Sequence, residues 1–289
     1  MKRTIVSHFY NEEWLLPFWL KHHREIFDHG IMINYRSTDR SVEIIKELCP
    51  TWEIRDTTNG NFQSPHSIDE EVMSIESTIE GWRTTLNTTE FLIGNYDEYM
   101  VDVQDHRHFL AQTYSFVDME RRDELFYLTY DLPLHKQRWW GVGGNNAQWE
   151  LFRTNNLTGS PTRSPRSIHN YARRYETQGR HYWNQEGTYP DIAIFYYASA
   201  SLEPKSIARK MQIQTQVPAG GSSHNFTLDQ LMARFKADQS LSRDLKDEIK
   251  PIIDAHDRCM ARKMVHSETS VHIQSAIDAL NNALNLAKK

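Results

Sequence analysis

The sequence predicts an α/β fold with a mainly parallel central sheet, flanking helices and a helical C-terminal subdomain. Three observations carry this expectation. Four β-branched or aromatic runs alternate with three amphipathic segments over the first hundred residues, which is the pattern of strand-helix-strand crossovers. Three of those runs end in polar, turn-forming residues: Asn11 with Glu12, Asn34 through Asp39, and Asn95 through Glu98. A chain of 289 residues, 39% of them hydrophobic, is long enough to bury a sizeable core.

Each element has its own reason. Arg3 to Tyr10 is β-branched and aromatic, and gives way to Asn11-Glu12-Glu13, which reads as a helix N-cap with acids in the first turn. Trp14, Leu15, Phe18, Trp19, His22 and Ile26 then fall at helical spacing, with Pro17 marking a kink or a later true start. Gly30 closes that helix. Ile31 to Asn34 is the second strand, and Tyr35 to Ser41 a polar turn rich in capping residues. An amphipathic helix with Ile44, Ile45 and Leu48 ends at Pro50. Trp52 to Arg55 is the third strand, followed by a loop through Asn59-Gly60-Asn61. Ser67-Ile68-Asp69-Glu70 has the capping-box form, and Val72, Ile75, Ile79 and Trp82 continue it at helical spacing. The fourth strand is placed at Phe91 to Gly94, running into Asn95, Asp97 and Glu98.

Several function classes are excluded. A net charge of -5 and a pI near 6.3 argue against a nucleic-acid backbone as the main partner. The apolar runs, such as Asp191 to Ala200, are about half the length of a membrane span. Two cysteines, Cys49 and Cys259, make no disulfide framework and no metal spacing, and a strand so near the start leaves no room for a signal peptide. A cytoplasmic setting is expected. Neither a dinucleotide-binding glycine motif nor a P-loop is present.

The three polar strand ends, in order, resemble the GT-A glycosyltransferases, particularly the family 2-like group. In that pattern an Asn-Glu follows the first strand, a Ser-Thr-Asp-x-Ser turn the second, and an Asp-x-Asp-Glu-Phe element the fourth. Here they stand as Asn11-Glu12, Ser37-Thr38-Asp39-Arg40-Ser41 and Asn95-Tyr96-Asp97-Glu98-Tyr99. The resemblance covers residues 1–101. It implies that Asn11, Glu12, Asn34, Tyr35, Asn95 and Lys210 hold the nucleotide. It implies further that a divalent cation, Mn²⁺ or Mg²⁺, bridges the donor diphosphate on Asp97, with His224 reaching the same group from a flexible segment. Asn95 stands where a carboxylate is expected, and Phe195-Tyr196 where a His-Tyr often stands, so the metal dependence is expected to be weak. Transfer by inversion needs a carboxylate to take the acceptor proton. Asp191, by spacing, and Asp69, at a helix start beside the donor loop, are the two candidates.

Beyond residue 101 the patterns are sparser. Asp105 to His108 carries ligand-like residues of a kind more often found in surface loops. Glu124 to Leu132 and Gln148 to Thr154 look like strands flanking the aromatic and amide loop Arg138 to Asn146, which suits either an acceptor sugar or a packed Trp pair. Ser160 to Gly187 reads as a basic loop, either a solvated face or an anion cradle. The last strand is Asp191 to Ala200. Helical periodicity follows over Leu228 to Lys236, Leu241 to Met264 with a break at Pro251, and Val271 to Lys289, whose apolar stripe could pair two copies of the chain.

The expected organisation is a catalytic domain over 1–200, with nucleotide-sugar-binding (1–101) and acceptor-binding (102–200) halves, then a loop and helical subdomain over 201–289. The expected activity is inverting transfer of a sugar from a nucleotide donor, a UDP-sugar by preference, to a glycan acceptor. A sugar-phosphate nucleotidyltransferase and a non-catalytic nucleotide-sugar or glycan-binding protein are the alternatives.

Overall fold

The structure is a computed structural model that describes residues 1–59, 65–117, 140–142, 165–174, 180, 188–198, 204–215, 227–233, 245, 247–264 and 274–275. The α/β expectation holds: helices flank one sheet whose first half is parallel. The strands are β1 (Arg3–Phe9), β2 (His29–Asn34), β3 (Glu53–Asp56), β4 (Trp82–Thr85), β5 (Glu90–Gly94), β6 (His108–Val117), β7 (Trp140–Val142), β8 (Arg166–His169) and β9 (Thr188–Tyr196). They form one sheet in the order β3-β2-β1-β4-β8-β6-β9-β5, with β7 on β6. The β3-β2-β1-β4 half is wholly parallel; beyond β4 the sheet is mixed.

Helices α1 (Leu16–His23) and α2 (Ser41–Leu48) cover one face of the parallel half, and α3 (Pro65–Glu76) the other. That is why β1 carries apolar side chains on both faces: Ile5 and Phe9 join the core under α1, while Val6 and Tyr10 face Ile68 and Val72 of α3. Pro17 marks a late start rather than a kink, since it lies in the first turn of α1, where a missing N–H costs nothing. Helices α4 (Tyr96–Tyr99) and α5 (Pro204–Thr215) complete the named elements. A further helix at 247–264 runs through Pro251 without a break. It packs Ile249, Ile252 and Cys259 into the α1-side core, and both cysteines are buried free thiols.

Two assignments change. Trp82 is not the end of α3 but the first residue of β4, with its indole N–H donating to Val101 O at 2.7 Å. Phe91 to Gly94 is therefore the fifth strand, and it is antiparallel to β9. Within the stretch read as a basic loop lies the buried strand β8. The segments 124–132 and 148–154, His224, most of the Arg138 to Asn146 loop and nearly all of the 271–289 stripe lie outside the described residues.

Candidate functional site

Four parallel strands point their carboxyl ends at one edge of the sheet, the edge at which open α/β sheets bind ligands. After β1 the chain turns through Asn11, whose φ of 49° lies in the left-handed region that Asn tolerates better than most residues. Its carbonyl Oδ1 accepts the N–H of Thr38 at 2.7 Å and of Asp39 at 3.3 Å, and its own N–H donates to Ser37 Oγ at 3.1 Å. Glu12 N donates to Ser41 Oγ at 2.9 Å and Glu13 N to Asp39 at 2.9 Å. The Asn-Glu and Ser-Thr-Asp-x-Ser motifs thus lock onto one another, which fixes the backbone of both strand ends.

After β2 and β3 a second network forms. Asn34 Oδ1 accepts Ser37 N at 2.9 Å, while its amide donates to Asp56 at 3.1 Å. The Glu71 carboxylate, from α3, accepts Tyr35 Oη at 2.6 Å, Thr57 Oγ1 at 2.7 Å, Thr58 N at 2.6 Å and Asn59 Nδ2 at 3.0 Å. Burial followed by this contact pushes the Tyr35 hydroxyl up to about 12. Burial alone would raise Glu71, but the hydrogen bonds from Tyr35, Thr57 and Thr58 outweigh it and hold the carboxyl below its usual range. Glu71→Gln turns one acceptor oxygen into a donor facing donors. It should cost about 1.5–3 kcal/mol in urea unfolding and open the 57–59 loop to proteolysis. An unchanged unfolding midpoint would show that the loop is held by other means.

At the end of β4 stand two buried arginines. Arg180 donates to Asp69 Oδ1 at 2.8 Å and to Asn87 Oδ1 at 2.6 Å. Arg166, from β8, forms a bidentate pair with Glu90, with contacts of 3.1 and 2.5 Å, and both side chains are 2% exposed. His8 lies nearby on β1; burial first, then the charges of Arg180 and Arg166, lower its imidazole well below the usual value. Above β1, Glu12 pairs with Arg209 of α5 in a buried contact. A cleft of about 530 Å³ opens at Asn11 between α1, α2 and α5, with Lys205, Arg209 and Arg40 in its wall alongside the carboxylates Glu13, Asp39 and Glu47.

The structure gathers Asn11, Glu12, Asn34, Tyr35 and Asp69 at this edge, with Lys210 on α5. It does not gather Asn95, Asp97 or Asp191. Because β5 runs antiparallel to β9, its end lies at the opposite edge of the sheet. There Asp97 pairs with Arg3, the first residue of β1, at 2.6 Å, and Asp191 accepts Asn95 Nδ2 at 3.1 Å and Tyr99 Oη at 2.5 Å. Gly94 makes that turn with φ 123°, where a Cβ would stand 2.2 Å from Asp191 O. The tight turn closed by Glu90 N on Asn87 O reverses the chain, and nothing in an apolar run reveals strand direction. The segment that follows the fourth parallel strand is Asn87-Thr88-Thr89-Glu90-Phe91. It shares Glu-Phe with the expected element and has neither aspartate. The order Trp82 to Thr85, alternating and β-branched, was the signal that could have found it.

Four carboxylates of this edge are already engaged by protein groups. Hard cations take several carboxylate or carbonyl oxygens. Here Glu12 holds Arg209, Asp69 holds Arg180, Glu90 holds Arg166, and Glu71 is filled by four neighbouring groups. Among the described residues no group of three His, Cys, Asp or Glu side chains is placed to hold a metal ion.

No family model matches the chain, and no curated protein matches it. Among solved structures, residues 1-349 of S. aureus TarS are similar at 12% identity, covering 82% of this chain and 71% of that one, with a TM-score of 0.37. The same fragment in complex with UDP-GlcNAc covers 88% and 79% at 12% identity, TM-score 0.36. The inositol-1-phosphate CTP transferase from T. maritima covers 82% and 96% at 8% identity, TM-score 0.36. No helix among the described residues is long and apolar enough to cross a membrane.

Proposed function

We propose that this protein is a nucleotide-sugar-dependent transferase that moves a sugar from a nucleoside diphosphate donor, a UDP-sugar by preference, to a glycan hydroxyl. The observation that supports it is the convergence of Asn11-Glu12, Asn34-Tyr35, Asp56 and Asn87 at the carboxyl edge of four parallel strands, each fixed by hydrogen bonds to its neighbours. A preorganised polar edge of this kind suits a base and ribose, which present fixed N–H, C=O and hydroxyl groups. Asp56, exposed at the end of β3, can accept an imide or hydroxyl proton, and is a contact that strand-end motifs did not point to.

The test is ligand-linked stability. UDP at about 100 times its dissociation constant should add about 2.7 kcal/mol to unfolding. No rise in melting temperature with millimolar UDP, GDP or ADP would sink the reading. Release of nucleoside diphosphate from nucleotide sugars then marks glycosyl transfer, whereas release of pyrophosphate from a nucleoside triphosphate with a sugar phosphate marks nucleotidyl transfer. Asp69 is the candidate base that shares this edge. Asp69→Asn, compared under conditions where urea unfolding shows it still folded, should lower turnover on the order of 10²-fold with UDP affinity kept; turnover near the wild-type level would show that Asp69 serves Arg180 alone.

A further inference from the structure

The carboxyl edge holds buried donors that lack acceptors among the described residues. Arg209 is 5% exposed and forms its ion pair with Glu12 through Nε, while Nη1 finds no acceptor among the described residues. Leaving a charged buried donor unmatched is costly, so such a group is a place where a ligand atom is wanted. Arg209 also lines the cleft that opens at Asn11, and Lys205 lies one helical turn before it on the same wall. At the neighbouring strand end, the buried Arg180 likewise has an Nε without an acceptor among the described residues. Three buried carboxylates there, Glu12, Asp69 and Glu90, are held by arginines. A cation brought within a few ångströms of these guanidinium groups would be repelled, and an anion attracted.

We propose that the diphosphate of the donor is held at this edge by direct contacts from Arg209 and Lys205, with no divalent cation between protein and phosphate. This rests on the nucleotide reading above. Arg209 is held by Glu12 in a fixed orientation, so its fork reaches the phosphate oxygens without first losing side-chain freedom. The same contacts would stabilise the charge on a departing nucleoside diphosphate, the role a metal plays elsewhere.

Calorimetry with UDP, uridine and inorganic pyrophosphate, each in EDTA and in Mn²⁺, tests it, together with electron paramagnetic resonance of Mn²⁺ added alone. UDP and pyrophosphate should bind equally well in EDTA and in Mn²⁺, and the Mn²⁺ signal should stay that of the free ion. Arg209→Gln should weaken UDP and pyrophosphate about tenfold or more while leaving uridine affinity unchanged, with Arg209→Lys between the two. A merely structural arginine would move UDP and uridine together. Loss of UDP and pyrophosphate binding in EDTA, tight binding of Mn²⁺ alone, or equal loss of UDP and uridine affinity in Arg209→Gln would each overturn the proposal. If Arg209→Gln fails to fold, the wild-type EDTA and Mn²⁺ measurements decide. Pyrophosphate bound in EDTA with no nucleotide bound at all would support the anion site and overturn the nucleotide reading; neither bound would overturn both.

Discussion

Glu90→Gln should destabilise the protein by about 3–5 kcal/mol, because it leaves the Arg166 guanidinium buried and without its countercharge. The substitution changes one atom and almost no volume, so the cost is electrostatic. Glu90 accepts Arg166 Nε and Nη2 through both carboxylate oxygens, and also the N–H of Asn87 at 2.8 Å. An amide can accept at one oxygen only, and would point its own N–H₂ at a cation. With typical domain stabilities of about 5–15 kcal/mol, a loss of this size removes about a third or more of the total for a domain in the lower half of that range. The double replacement Glu90→Leu with Arg166→Met should recover most of the loss, since removing both charges avoids the desolvation that neither partner can escape alone. Urea unfolding of the two variants checks both statements. A cost under about 1 kcal/mol for Glu90→Gln would mean that water reaches Arg166.

Stability should also fall steeply as pH drops from 6.5 to 5. His23 is fully buried between α1 and β5, where its Nδ1 faces Trp19 O at 3.0 Å and its Nε2 accepts the N–H of Leu92 at 3.3 Å. Only the neutral ring, protonated at Nδ1, satisfies both. Burial, then the neighbouring His22, lowers its pKa well below the usual value. His169, equally buried on β8, is lowered to about 3 by burial and the charges of Arg83 and Arg173, even though Glu76 lies 3.7 Å from its Nε2. His22, stacked on His256 at 5.1 Å, is lowered to about 4, chiefly by burial.

A histidine with a depressed folded pKa stays neutral in the folded state while the unfolded chain takes up a proton. Its contribution is therefore complete above pH 6.5 and is lost as pH falls below that, until the folded pKa is reached. Each such residue gives a slope of up to about 1.4 kcal/mol per pH unit. His169, with its folded value near 3, should by itself remove about 1.7 kcal/mol between pH 6.5 and 5, and His23 adds a loss in the same direction. Glu53 and Glu71, whose folded values are also lowered, act only below about pH 4.5, so the two windows separate. Urea midpoints measured across pH 7.5 to 5 would decide it, and a flat profile would show that these rings are hydrated.

The parallel half of the sheet could be read from the chain. Alternation of β-branched runs with amphipathic segments is a local property, and Asn11, Ser37, Thr38, Asp39 and Ser41 are residue types that close turns through their own side chains. So the sequence by itself determined three strands, three helices, and the polar strand ends at Asn11 and Asn34, while Asn95, expected to share their edge, does not. What only the tertiary structure decided was which later strand ends share that edge. An apolar run such as Phe91 to Gly94 has the same composition in either direction, and the four-residue turn at Asn87 to Glu90 is enough to send it the other way. That reversal carries Asn95, Asp97 and Asp191 to the far edge, and leaves Asn87 with Arg180 at the near one. Nor could spacing reveal the arginines' partners. Glu12 meets Arg209 across 197 residues and Glu90 meets Arg166 across 76, because burying a charge is tolerable only beside its opposite, and the chain brings the two together only on folding.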